Sequence, residues 1–217
     1  MAIEVESKFL AADELTLQRL STVGHLGAAL LGQARVAHEV DRYLDTPDRR
    51  LAAGGWACRL RTRADRTIVS LKGTAASGRG DRCGLHRRPE AEGDADVEHA
   101  PSAWPRSEAR DLLLELTAGA PLEERLRLDQ RRTERPVLVG GRRVATLSLD
   151  QVEVIDPLRG AVGRLLVVEL EHAREAREEE LVPVAEALHA DPGLAPDPLT
   201  KLEHAVRLVA DARGEAE

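Results

Sequence analysis

Three acidic pairs and one basic run in this chain are spaced two residues apart: Glu4/Glu6, Glu90/Glu92, Glu169/Glu171 and Arg59/Arg61/Arg63. On a β-strand, residues two apart point to one face, roughly 7 Å from each other. Like charges at that distance repel by ~0.6 kcal/mol in water and by ~2.4 kcal/mol at an effective dielectric of about 20. A solvated sheet face tolerates this, so no single pair is informative. The set is, because the opposite faces are apolar and both signs recur in separate clusters. Val5 alternates with Glu4 and Glu6; Leu166, Val168 and Leu170 alternate with Glu169 and Glu171. Carboxylate clusters suit hard divalent cations such as Mg²⁺ or Mn²⁺. Arg and Lys clusters suit phosphate oxygens. A metal-bound polyanionic phosphate is the simplest occupant for a site that offers both.

The 31 basic residues include only three lysines, Lys8, Lys72 and Lys201. Coding bias toward Arg explains the scarcity but not the placement. An ammonium is a compact point charge where a guanidinium is a planar fork, so each surviving lysine is a candidate site residue.

The elements that carry these groups can be read from periodicity. Residues 2–10 alternate as a strand with one apolar face. Asp13 opens a short helix through Leu20. Strand character returns at 35–45 with Val36, Val40 and Leu44. Trp56–Arg63 and 66–72 form a hairpin across Ala64-Asp65. Gly73–Gly80 reads as a loop. Residues 82–92 are a strand, with Pro89 against it. Residues 106–118 read as a helix. Strands at 127–139, 143–154 and 162–172 form a meander, the first two joined by Gly140-Gly141. Helices come next at Pro183–His189 and Thr200–Ala212, the second with Thr200 as N-cap and an apolar stripe of Leu202, Ala205, Val206 and Val209. About eight strands, mostly sequential neighbours, favour antiparallel pairing and an α+β fold in one unit over 1–212, with 213–217 a tail. A closed eight-stranded barrel with charges inside and helices outside accommodates all of this.

The totals exclude other classes. The 217 residues carry a net charge of −7, with no basic excess for a nucleic-acid surface. No run reaches membrane-span length, and the N-terminus lacks a basic region and an apolar core, so a soluble cytoplasmic protein is expected. Cys58 and Cys83 show no zinc spacing, and neither do His38, His86, His99, His172 and His189. Trp56 and Trp104 read as packing anchors.

Glu4-Val5-Glu6-Ser7-Lys8 is an ExExK motif near the N-terminus. Further motifs lie along the chain in a definite order: Tyr43-Leu44-Asp45-Thr46, then Leu51, Gly55 and Arg59-Leu60-Arg61, then Leu71-Lys72-Gly73, then Arg88-Pro89-Glu90-Ala91-Glu92. Asp150, Glu169-Leu170-Glu171 and Thr200-Lys201-Leu202 complete the series. From about residue 3 to 206 this resembles the CYTH superfamily, the triphosphate tunnel metalloenzymes. All three lysines fall on its motif positions. The resemblance implies a closed tunnel of eight antiparallel strands. It implies that Lys8, Arg59, Arg61, Lys72, Arg88, Arg131 and Lys201 hold a triphosphate, and that Glu4, Glu6, Glu90, Glu92, Asp150, Glu169 and Glu171 hold one or two Mg²⁺ or Mn²⁺ ions. Glu169 and Glu171, with Lys8, form the implied catalytic group, and Tyr43 matches a substrate-related tyrosine. The family also places a cation two residues before the Arg matched to Arg131; here Asp129 stands there, so either Arg127 or Arg132 substitutes for it or the register of this strand is shifted. The implied activity is metal-dependent hydrolysis of a small triphosphate, inorganic triphosphate first, by a monomer or homodimer. Cyclase, thiamine triphosphatase and non-catalytic polyphosphate-binding roles are the alternatives on the same fold.

Overall fold

The computed structural model describes residues 1–73 and 85–215. In chain order its elements are β1 (Ala2–Ala11), α1 (Glu14–Thr22), β2 (His25–Leu26), β3 (Ala29–Leu31), β4 (Arg35–Asp45), α2 (Arg50–Ala53), β5 (Trp56–Arg63), β6 (Arg66–Gly73) and β7 (Leu85–Asp94). Then come α3 (Glu108–Thr117), β8 (Glu123–Val139), β9 (Arg142–Asp156), β10 (Gly160–His172), α4 (Glu178–His189), β11 (Leu194–Pro196) and α5 (Lys201–Arg213). The expected loop over 74–80, the first residues of the strand expected at 82, and Cys83 lie outside the described residues.

Eight strands close on themselves in the order β8-β4-β5-β6-β7-β1-β10-β9, with β9 pairing back to β8. Every pairing is antiparallel. Closure leaves the eight strands no free edge. The β2–β3 hairpin extends β8, and β11 adds to β1. Gly140 and Gly141 both have positive φ, 57° and 78°, which the tight β8–β9 turn requires. Among the described residues the ladder from β7 to β6 ends beside Pro89, at Lys72 opposite Glu90, so no described β6 partner needs an N–H from Pro89. Its ring fills the space over Gly73, where an added Cβ would lie 2.7 Å from Pro89 Cγ.

Alternation sorts the side chains into an outer and an inner face. On the outside, Phe9, Leu147, Leu149, Val168 and Leu170 pack under α1 and α4. Also outside, Cys58, Leu60, Val69, Leu71 and Ala91 pack under α3, with Trp104 as the expected anchor. A third cluster is different. Leu126, Leu128, Val152 and Val154 lie on the same face as Gln130, Arg132 and Asp150, because no bulge interrupts β8 or β9 between them. Ala205 and Val209 of α5 cover them. So α5 packs on the inner face, at one end of the barrel. Capping fixes its start: Thr200 accepts from Glu203 N at 3.1 Å, and Glu203 accepts from Thr200 N at 2.6 Å. It runs one residue beyond the expected end at 212, to a C-cap at Gly214.

The expected helix at 183–189 extends back to Glu178, because Glu180 returns to cap Arg177 N at 2.9 Å. Among the described residues no helix is long and apolar enough to cross a membrane.

Candidate active site

The inner face of the barrel encloses a cavity of about 1160 Å³, lined from Trp56, Gly73 and Arg207 at one rim to Arg63, Arg66 and Glu134 at the other. Register sets what meets inside. On β1, Lys8 lies opposite Glu169 of β10, and Glu6 opposite Glu171. Lys8 Nζ is 3.1 Å from Glu6 and 3.5 Å from Glu169, with only 2% of its side chain exposed. Lys72 of β6 reaches Glu4 at 2.6 Å and Glu90 at 3.0 Å. Arg88 of β7 bridges Glu4 at 2.7 Å and Glu6 at 2.8 Å.

Across the lumen, Arg132 of β8 donates to both oxygens of Asp150 at 2.8 and 2.7 Å and to Glu169 at 2.8 Å. Lys201, the first residue of α5, bonds Asp150 and reaches Glu169 at 2.8 Å. A third group joins β4 and β5. Arg61 grips Asp41 through two bonds of 2.7 Å, and Gln130 donates to Glu39 and Asp41 at 3.2 Å each. Arg59 donates to Ser70 Oγ at 3.2 Å, and Ser70 donates to Glu92 at 2.8 Å. Arg59 Nε is buried without a partner.

These ion pairs hold the charges where burial alone would remove them. Burial raises the Glu4 carboxyl, but Lys72 and Arg88 outweigh it and bring it down to about 2. Glu169, buried, is likewise held well below the carboxylate range by Lys201, Lys8 and Arg132. Glu171 moves the other way: burial, then the neighbouring Glu4, push its carboxyl up. Burial also raises the Tyr43 phenol.

Glu4, Glu6, Lys8, Tyr43, Arg59, Arg61, Lys72, Arg88, Glu90, Glu92, Glu169, Glu171 and Lys201 all line the cavity, and Asp150 is tied to it through Arg132 and Lys201. Arg131 is the correction. It is exposed, on the face opposite to Arg132, in register with His38 and Gln151. The substitute Arg132 occupies the lumen instead. Sequence reasoning missed Glu39, Asp41, Gln130 and Glu134. Glu39 and Asp41 carry the i, i+2 signal that finds the other acidic pairs. His86, expected as a surface or strand residue, is a buried strand residue with Nε2 3.0 Å from Asp197 O.

Among the described residues, no three acidic, His or Cys side chains already converge as a metal centre. The carboxylate oxygens are turned to Lys and Arg instead. The donor set still fits a hard divalent cation. Glu4, Glu6 and Glu169 surround Glu171 closely enough that their charges oppose its ionisation, and such a spot stabilises added positive charge.

The CYTH domain family model matches residues 2–206. Among solved structures, the chain is similar to HpAC1 of Hippeastrum, an adenylyl cyclase candidate described as having a dominant triphosphatase activity. That likeness has a TM-score of 0.65 at 17% identity, covering 99% of this chain and 97% of that one. It is also similar to an adenylate cyclase candidate from Bacillus halodurans, with a TM-score of 0.59 at 18% identity, over 94% of this chain and 98% of that one. No curated protein matches the chain.

Proposed function

Because the chain belongs to the CYTH domain family, we propose that it hydrolyses a small triphosphate inside the barrel, with Mg²⁺ or Mn²⁺, inorganic triphosphate being the first substrate. One observation carries this reading. Interleaved cations and carboxylates converge on one cavity, and a buried guanidinium there, Arg59, has a donor with no acceptor. A phosphate oxygen supplies such an acceptor.

In this reading Lys8, Arg59, Arg61, Lys72, Arg88, Arg132 and Lys201 neutralise and align the phosphate chain. Phosphoryl transfer needs that more than it needs covalent chemistry. Glu4, Glu6, Glu90, Glu92, Asp150, Glu169 and Glu171 would hold the metal, which when bound supplies charge neutralisation and a more acidic water. Glu169 is pinned by three cations and keeps its charge. Glu171 lines the cavity on the same face of β10, and the Glu169/Glu171 group is placed to take the proton of the attacking water.

Trp56 at one rim favours a second reading, in which the substrate carries an aromatic ring, as ATP or thiamine triphosphate does. The test is phosphate release from inorganic triphosphate, ATP and thiamine triphosphate with Mg²⁺, Mn²⁺ or EDTA, with cyclic AMP measured in parallel. EDTA-sensitive release supports hydrolysis and names the substrate. Cyclic AMP formation moves the reading to a cyclase. Tight binding with neither product moves it to a polyphosphate-binding module.

A further inference from the structure

Asp41 and Glu39 belong to neither group expected in the lumen. They sit on β4, facing the β5 arginines, and are 1% and 2% exposed. Asp41 takes the Nε–Nη2 edge of Arg61 through two bonds of 2.7 Å and lies 3.7 Å from Arg59; Glu39 lies 3.3 Å from Arg61. Burial would raise the Asp41 carboxyl, and Arg59 and Arg61 instead hold it well below its ordinary range. It is therefore charged at neutral pH. A bidentate carboxylate uses the same fork that a phosphate would use.

We infer that Asp41, aided by Glu39, is an internal competitor of the substrate: it occupies the Nε–Nη2 fork of Arg61, and a triphosphate that takes this fork must displace it. This rests on the triphosphate reading above. The consequence is a threshold. An anion with one or two phosphates reaches too few lumenal cations at once to exchange for the carboxylate, whereas a triphosphate, contacting several together, reaches enough. Asp41 thus sets specificity for chain length through Arg61, as a positioning residue.

The sign of the effect distinguishes this from a structural role, since damage to a site weakens binding. The experiment is calorimetric titration of tripolyphosphate, pyrophosphate and orthophosphate into the full chain in EDTA, for wild type, Asp41→Asn, Glu39→Gln and Arg59→Ala. Asp41→Asn is expected to bind tripolyphosphate at least about ten-fold tighter, with a larger gain for pyrophosphate, since a charged hydrogen bond no longer has to be broken. Glu39→Gln carries the same sign and decides the question if Asp41→Asn does not fold. Unchanged or weaker binding by the folded variant overturns the inference. If wild type binds and Arg59→Ala does not, the triphosphate reading stands whichever way Asp41→Asn falls. If neither wild type nor any variant binds tripolyphosphate, in EDTA or with Mg²⁺, that reading fails as well, and the inference with it.

Discussion

Arg132 on β8 lies in register with Asp150 on β9 and grips both of its carboxylate oxygens, at 2.8 and 2.7 Å, inside the barrel. The neighbouring Arg131 faces outward. The two arginines therefore give a direct contrast. Arg132→Ala is expected to cost about 3–5 kcal/mol, because it strips a partner from a buried pair. Arg131→Ala is expected to change stability by no more than about 0.5 kcal/mol. Urea unfolding of the two variants checks this, and equal costs contradict the register.

Glu4 and Glu6 share the lumenal face of β1 with Lys8. Glu4→Gln with Glu6→Gln keeps the side-chain volumes and an acceptor oxygen for Lys72 and Arg88. Metal-dependent turnover is expected to fall by at least about 100-fold, the scale for losing electrostatic stabilisation of a transition state. Circular dichroism is expected to stay that of the folded barrel. A double variant with full turnover contradicts the assignment of the ExExK strand.

The inner packing of α5 has its own test. An added Cβ at Gly163 of β10 would lie 2.8 Å from Leu208 Cδ1 on α5. Gly163→Val is expected to destabilise by about 1–3 kcal/mol through overpacking. It is also expected to lower turnover, because the same helix carries Lys201 to Asp150 and Glu169. Lost stability with unchanged turnover means that Lys201 does not depend on how α5 is seated.

Asp156 at the end of β9 is held down to about 2, first by hydrogen bonds from Arg213 at 2.8 and 2.9 Å. Its unfolded value is about 4. The stability this pair contributes is complete above that value and is lost as pH falls through about 2. Asp156→Asn is therefore expected to be less stable than wild type near neutrality, with the gap narrowing from about pH 5 downward. A gap that does not change with pH contradicts the pairing.

Most of the barrel is legible in the sequence because strand alternation is strict. The expected strand at 35–45 matches β4, and the hairpin across Ala64-Asp65 appears with Ala64 at φ 53°. The register of β8 is the exception. If apolar residues mark the outer face, Leu126 and Leu128 put Arg131 on the inner one. That rule breaks where α5 lies, since its cover makes the inner face apolar at that end. Of the expected stripe, Leu202, Ala205 and Val209 pack against the barrel while Val206 is exposed; the stripe says that α5 packs against something apolar, but not on which side of a sheet. Glu39 and Asp41 escape notice for a different reason. Val36, Val40 and Leu44 identify their strand, and the mixed-sign neighbours His38 and Arg42 mask the acidic pair between them.

In the reading proposed above, triphosphate and metal meet in the lumen. Anomalous diffraction from crystals grown with tripolyphosphate and Mn²⁺ shows where each one sits. The expected result is a manganese peak among Glu4, Glu6, Glu169 and Glu171, with phosphate density against Arg59, Arg61, Arg88 and Arg132. Manganese and phosphate found only on the outer surface, with the lumenal ion pairs still closed, would contradict it.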